Sequence, residues 1–453
     1  MTDIDGRGIS GLEKYFDGTL STGAPIKVAL DIRIQEMLHR ELSAAMQEFR
    51  AIGAAGLVLD ANSGEVVSLV SLPDFDANIP GSAGGETAFN RATKGVYEMG
   101  STFKLFTAAM ALDSGTVDFN GGYDASEPIK VSRFTIRDFH GKNRWLSVPE
   151  IIMYSSNIGA AKMALDVGSK AQRSYLGQFG LLTPASVELP EVGRPLMPAR
   201  WREINTMTIS YGHGIAVSPL QMASGVASLV NGGLYVPPTM LKRDAGEAIE
   251  SKRVISQQTS EQVRNLMRLV VSKGTGSKAA VKGYGVGGKT GTADKLSVRG
   301  YRKNATISSF VGAFPMTAPR YILLVMVDEP KGNARTANYS TGGWVAAPAV
   351  GHVVQRMAPL LGMAPDRRVA EKDDVPSLEK PDRGVLKKRA APRKKTLIKA
   401  KAGEVVPKIS GGGEQHMLRR VRAVLGAVNA NSGAEKAGAT SAIGSPEHAL
   451  ATY

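Results

Sequence analysis

A chain of 453 residues has room for one large domain or two ordinary ones with a sizeable core, and 43% apolar with 21% charged residues is a globular composition. The absence of cysteine excludes disulfides, a thiol nucleophile and Cys-based zinc sites. The six histidines show no metal-ligand spacing, so no metal and no cofactor is expected. The net charge of +15 is uneven, with +8 falling from residue 364 onward, and no nucleic-acid-binding motif accompanies it, so nucleic acid is not an expected partner.

No stretch approaches 18 consecutive apolar residues, and MTDIDGRGIS lacks the basic and apolar regions of a signal peptide, so neither a membrane helix nor an export signal is read. Residues 1–25 are Gly-rich, with one short amphipathic stretch, GLEKYFDGTL. IKVALDI predicts a strand; Ile34, Leu38, Leu42, Ala45 and Phe49 then recur at helical spacing. AAGLVLDANSGEVVSLVS predicts a hairpin turning at Asn62-Ser63-Gly64, and a helix facing a hairpin begins an α/β layered domain. GSTFKLFTAAMALDSG predicts a helix from near Ser101 to Gly115. IIMYSSNIGAAKMALDVG places Ser155 and Asn157 in a short connection between two helical segments. TISYGHGIAVSPLQMASGVASLVNGG reads as a Gly-rich loop, with His213 a structural residue near a cleft rim, followed by a helix carrying Leu220, Met222, Val226 and Leu229. ATISSFVGAFP and RYILLVMVDEP predict two strands joined by a Pro-containing turn, with Asp328-Glu329 as a further turn. GWVAAPAVGHVVQRMAPLLG predicts a last helix, broken or kinked near Pro348. After about residue 362 Lys, Arg, Glu, Pro and Gly dominate, which predicts a disordered basic tail in which EQHMLRRVRAVLGAV is a candidate isolated amphipathic helix.

GYGVGGKTGTA, residues 283 to 293, fits the phosphate-cradling pattern G-x-x-x-x-G-K-[ST]. The same letters contain Lys-Thr-Gly, the third motif of penicillin-recognising serine acyl-enzymes. A P-loop needs a buried strand before it and a helix after it. SKAAVKGYGVGG is too Gly-rich for the first, and TGTADKLSVRGYRKNATISSFV reads as strand, polar turn and strand. A nucleotide is therefore not an expected ligand.

The acyl-enzyme reading makes two further demands, and both are met upstream. Ser101-Thr102-Phe103-Lys104 supplies Ser-x-x-Lys at a helix start, and Ser155-Ser156-Asn157 supplies Ser-x-Asn between helices. Ser101 is the candidate nucleophile, and Lys104, at i+3, lies on the same helix face as its candidate base. A lysine serves as base only when burial or a neighbouring cation lowers its pKa, and Lys289 is a candidate for that cation. Taken alone, Ser155 and Asn157 equally suit a polar helix cap.

YEMGSTFKLFT, YSSNIGAAKMAL, ISYGHGIAVSPLQMASGVASLVNGG and VGGKTGTADK resemble the transpeptidase domain of class B penicillin-binding proteins, most closely the division-type (FtsI-like) group, from about residue 6 to 362. The resemblance implies the α/β (α+β) β-lactamase/transpeptidase-like fold: a central antiparallel sheet flanked by helices, with an all-helical subdomain. It implies a D,D-transpeptidase that cross-links peptidoglycan stem peptides ending in D-Ala-D-Ala and binds β-lactams, with divisome proteins as further partners. Ser155 would relay protons to the leaving amine, and Asn157 would orient Lys104. Lys289, Thr290 and Thr292 would hold the substrate carboxylate along a strand edge, and the N–H groups of Ser101 and Thr292 would form an oxyanion hole. Gly288 and Gly291 would admit the substrate backbone.

By the same resemblance, residues 1–45 are a remnant of a pedestal and linker, 46–362 the catalytic domain and 363–453 the basic tail. The membrane anchor and most of the pedestal that precede this match in division-type relatives are not in the sequence. Localisation at the periplasmic face of the bacterial inner membrane is implied by the family alone. The alternatives are a D,D-carboxypeptidase, a β-lactamase or a non-enzymatic penicillin sensor of the same fold. A β-lactamase needs a deacylating carboxylate; Glu188 and Glu191 lack the expected E-x-x-L-N surroundings. The tail has the run Lys387–Lys395 and a triple-glycine break at 411–413. It has too little apolar surface to offset an ordering cost of about 1–2 kcal/mol per residue. A chain ending at residue 362 is therefore expected to fold and to be acylated by penicillin like the full chain; loss of acylation on that truncation overturns the boundary.

Overall fold

A computed structural model describes residues 2–366 apart from 4, 77, 80, 81, 132, 133, 298 and 299. The chain divides into one unit of Met1–Lys295 with Arg302–Ala390 and a second of Leu296–Tyr301 with Ala391–Tyr453. The site described here belongs to the first. The expected amphipathic fragment at 414–428 lies outside the described residues, as does nearly all of the basic tail.

Two apolar helices and a hairpin lay down the frame. Helix α1 (Ile32–Glu48) starts where the Asp31 side chain accepts the Arg33 N–H at 3.0 Å. It buries Ile34, Leu38, Leu42 and Ala45. Strands β1 (Gly53–Asp60) and β2 (Val66–Leu72) form the expected hairpin. Asp60 Oδ1 accepts the N–H groups of Asn62 and Ser63, and Gly64 takes φ +75°, as a tight turn requires. Three later strands, β3 (Gly287–Ser297), β4 (Gly300–Phe314) and β5 (Tyr321–Asp328), complete a five-stranded sheet ordered β2-β1-β5-β4-β3. The β1–β2, β1–β5 and β4–β5 pairs are antiparallel, and Leu57 sits between Leu69 and Leu324.

Alternation along the central strands divides the core into two layers. Ala54, Val58, Leu323, Val325 and Val327 pack with α1 and with α7 (Ala346–Leu360) on one face. Leu57, Leu59, Ile322, Leu324 and Met326 face the other layer, which holds α2 (Lys104–Asp113), α5 (Pro219–Val230) and α6 (Gln257–Lys273). Between α2 and α5 the chain forms α3 (Val148–Met153) and α4 (Asn157–Val167), each N-capped by a serine: Ser147 with Glu150 in a capping box, and Ser156 on Gly159 N–H. This region is mainly helical but also carries short two-stranded ladders, among them Gly122–Asp124 with Trp145–Ser147.

Several expectations need correction. IKVALDI forms no strand: Ala29 N–H goes to Met240 O and Asp31 N–H to Val67 O, two different segments, so no continuous ladder develops. Pro348 does not break α7. It is the third residue of that helix, where a missing N–H removes no intrahelical bond. The division drawn at residue 45 passes inside α1, whose apolar face is part of the sheet's core. At the other end, Tyr284 donates to Met363 O at 3.1 Å and Asp366 N–H to Gly283 O at 2.8 Å, so the start of the expected tail is tied to the domain.

Leu38 is completely buried between α1 and the sheet. Leu38→Ala is expected to cost about 2–5 kcal/mol, read as a lower urea midpoint at unchanged slope.

Candidate active site

The chain enters α2 through a 3-10 turn, Gly100–Phe103, rather than starting an α-helix at Ser101. With about three residues per turn, such a turn eclipses positions i and i+3, which sets Lys104 directly over Ser101. Gly100 has φ +56°, and a Cβ there would press on the Thr292 carbonyl oxygen at 2.7 Å. A glycine is thus required for the turn to lie this close to β3.

Lys104 and Lys289 are both completely buried, and Ser101 is half-buried. Lys104 Nζ lies 2.8 Å from Ser101 Oγ, 2.8 Å from Ser155 O, 2.7 Å from Asn157 Oδ1 and 3.1 Å from Ser155 Oγ. Lys289 Nζ reaches the same Ser155 Oγ at 3.0 Å and stays near Thr290 O at 3.1 Å and Thr290 Oγ1 at 3.3 Å. Ser155 therefore joins the two amines. It is held in the left-handed region, φ +62°, between α3 and α4. Burial pushes Lys104 well below the ordinary lysine range, and the Lys289 cation lowers it further while Asp138 opposes both. Burial brings Lys289 down to about 7. A neutral Lys104 has two N–H donors and one lone pair. Ser155 O and Asn157 Oδ1 are acceptors and take the donors, which leaves the lone pair for the Ser101 hydroxyl.

The Asn157 amide is oriented by its own Nδ2, which donates to Arg137 O at 2.9 Å. Asp138 binds the start of α4: Oδ1 accepts Asn157 N–H at 2.6 Å and Ile158 N–H at 3.0 Å, and Oδ2 accepts the Ser156 hydroxyl at 2.7 Å. Sequence reading missed this pair. An acidic residue 18 positions before the serine it holds, in no motif, gives no signal of its own.

The expected residues Gly288, Lys289, Thr290, Gly291 and Thr292 all lie on β3. Thr290 Oγ1 is 2.9 Å from Thr275 Oγ1, and Thr292 Oγ1 accepts Gly342 N–H at 3.1 Å. A Cβ at Gly288 would meet the Phe310 ring and Val311 O, and one at Gly291 would meet Ser309 Oγ and Met99 O. Packing alone therefore calls for glycine at both positions. His213 is half-buried with its ring 5.4 Å from that of Tyr211, which itself stands 6.0 Å from Lys104 Nζ, so it is at the site's rim as expected. Burial keeps its imidazole below the usual histidine range.

The rival readings lose their geometry. Thr290 lies inside β3 with no helix following, so the look-alike phosphate loop has no helix N-terminus to offer. Asp328 and Glu329 are more than a turn: Lys295 Nζ pairs with both, at 2.7 and 2.8 Å, and Arg302 with Glu329 at 2.8 Å. Glu188 accepts the Thr239 hydroxyl and Met240 N–H, and Glu191 accepts Gly11 N–H. Both carboxylates are thereby committed to structure.

A model of the penicillin binding protein transpeptidase domain matches residues 54–355. The chain belongs to the penicillin-binding-protein transpeptidase family. It is 41% identical over 399 residues to the probable peptidoglycan D,D-transpeptidase FtsI of Caulobacter vibrioides, covering 85% of this chain and 68% of that protein. It is 30% identical over 396 residues to the peptidoglycan D,D-transpeptidase FtsI of Escherichia coli K12, covering 81% and 66%. The solved apo transpeptidase domain of Burkholderia pseudomallei penicillin-binding protein 3 aligns with a TM-score of 0.67 at 33% identity, over 75% of this chain and 97% of that one.

The buried Lys289 also makes the domain's stability depend on pH. Its folded pKa is near 7 against an unfolded value of about 10.4, so between these the unfolded chain binds the extra proton. Its burial is therefore most costly at and below pH 7, and the cost is relieved as pH rises toward 10. Lys289→Met is expected to be more stable than wild type at pH 7, with the gap closing by about 1.4 kcal/mol per pH unit in urea titrations. A gap independent of pH overturns the assignment.

Proposed function

We propose that this chain is a serine-type D,D-transpeptidase acting on peptidoglycan stem peptides, with Ser101 as nucleophile and Lys104 as its base. The observation that carries the reading is the continuous chain Ser101 Oγ, Lys104 Nζ, Ser155 Oγ, Lys289 Nζ, each link between 2.8 and 3.1 Å and both amines buried. The family membership and the relatives named as D,D-transpeptidases support it.

The steps follow from that chain. A stem peptide ending in D-Ala-D-Ala lies along β3, at the edge of the sheet, with its terminal carboxylate at Lys289, Thr290 and Thr292. Ser101 Oγ attacks the carbonyl carbon of the penultimate residue while its proton passes to Lys104 Nζ. The developing oxyanion is taken by the N–H groups of Ser101 and Thr292, an interaction whose loss typically costs about 3–4 kcal/mol. The C–N bond then breaks, and the leaving D-alanine amine takes up a proton through the Ser155 hydroxyl. The ester at Ser101 is attacked by an amine of a second stem peptide; its proton returns through Lys104 to Ser101 Oγ, and an amide cross-link remains. β-Lactams enter by the same attack but keep their leaving group tethered.

Septal cell-wall synthesis with divisome partners, at the periplasmic face of the inner membrane, is the setting we propose on the family resemblance. Among the described residues no helix is long and apolar enough to cross a membrane.

Penicillin treatment is expected to add one adduct by intact-mass spectrometry, absent in Ser101→Ala; labelling that survives this substitution refutes the assignment. The adduct is expected to persist for minutes or longer, since Glu188 and Glu191 are occupied elsewhere. Rapid turnover of a chromogenic cephalosporin would instead place the chain with the β-lactamases.

A further inference from the structure

We infer that Asp138, on the loop between the short ladder at 129–136 and the strand at 145–147, is a positioning residue for acyl transfer: it fixes the Ser155–Asn157 loop that presents an amide oxygen to Lys104. The inference rests on the assignment of Ser101 and Lys104 above.

Three observations carry it. The Asp138 carboxylate receives three donors from the N-cap and first two residues of α4: the Ser156 hydroxyl, Asn157 N–H and Ile158 N–H, at 2.7, 2.6 and 3.0 Å. These hold the start of the helix that carries Asn157, where an anion is also favoured by the helix dipole. The neighbouring Arg137 carbonyl takes Asn157 Nδ2, so the loop fixes both the position of Asn157 and the direction of its amide. Finally, Asn157 Oδ1 is one of the two carbonyl acceptors that decide where the Lys104 lone pair points. Without the carboxylate, the amide is free to swing or turn over, and an NH2 group facing Lys104 would compete for the lone pair. Ser155, in the left-handed region, sits between α3 and this anchor.

Asp138 also contributes charge. The groups that face Lys104 are Lys289 from β3, Asp138 from this loop, and His213 with the Tyr211 ring from the loop before α5; Glu98 and Asp294 act on Tyr211 and His213. Of these, Asp138 is the anion that favours the protonated amine. Removing its charge should make Lys104 lose its proton at lower pH, whereas removing its shape should disorder the loop.

The experiment separates the two roles with Asp138→Asn and Asp138→Ala in the full chain, measuring penicillin acylation against pH by stopped labelling, with thermal melts to establish the folded fraction. Wild type labelled at Ser101 is the control; failure there refutes the site assignment and not this inference alone. Asp138→Ala is expected to acylate about 100-fold more slowly, in the chemical step rather than in initial penicillin affinity. Asp138→Asn, whose amide oxygen still accepts Asn157 N–H and Ile158 N–H, is expected to recover most of that rate, with its acid limb moved to lower pH. Wild-type rates in Asp138→Ala overturn the inference. So does a loss in Asp138→Ala that follows only the folded fraction, or an Asp138→Asn variant no better than Asp138→Ala.

Discussion

Two lysines without any exposed surface, joined through one serine hydroxyl, are the constraint around which the rest of the molecule is arranged. Burying a single ammonium costs several kcal/mol unless it is paired, and a group so placed tends to give up its proton instead. Among the described residues no carboxylate is in hydrogen-bond contact with either Nζ. The nearby Asp138 is directed into the start of α4, where backbone N–H groups and the Ser156 hydroxyl occupy it. Neutralisation is thus the cheaper outcome for Lys104, and a neutral amine is what a serine nucleophile needs beside it.

The frame that enforces this burial is assembled from separate parts of the chain. Lys289 comes from the edge strand of the sheet, Ser155 from the connection between α3 and α4, Asn157 from the first residue of α4, and Ser101 and Lys104 from the 3-10 turn and the helix it leads into. The sheet is covered on its two faces by independent apolar layers, so the strands have little freedom to shift. Backbone approach completes the site: the turn at Gly100 lies against Thr292, and Gly291 against Met99 O and Ser309 Oγ. A side chain at either glycine would force β3 and the helix entry apart and widen the distances on which proton transfer depends. A related tightness explains Gly288, whose missing Cβ admits the Phe310 ring.

Much of this was legible in the sequence because it is local. The period of Ile34, Leu38, Leu42 and Ala45 gave α1; alternation and the Asn62-Ser63-Gly64 turn gave the β1–β2 hairpin. The order of Ser-x-x-Lys, Ser-x-Asn and Lys-Thr-Gly fixed the chemistry expected of the site, since few reactions need those side chains in company. IKVALDI misled because strand propensity says nothing about whether a partner strand is available; its N–H groups found partners in two different segments. Pro348 misled because its effect depends on where the helix starts, a boundary that composition does not set.

By itself, then, the sequence determined the α/β class, the candidate nucleophile and the lysines around it, because periodicity and residue chemistry act over a few positions. The tertiary structure alone decided that Lys104 and Lys289 are fully buried and share Ser155, since those contacts join residues 51 and 134 positions apart. It decided too that Asp138 binds the start of α4 and that Gly288 and Gly291 lie against Phe310 and Ser309. Those are facts of proximity, and proximity between distant residues is set by how the layers pack, which no short stretch of sequence encodes.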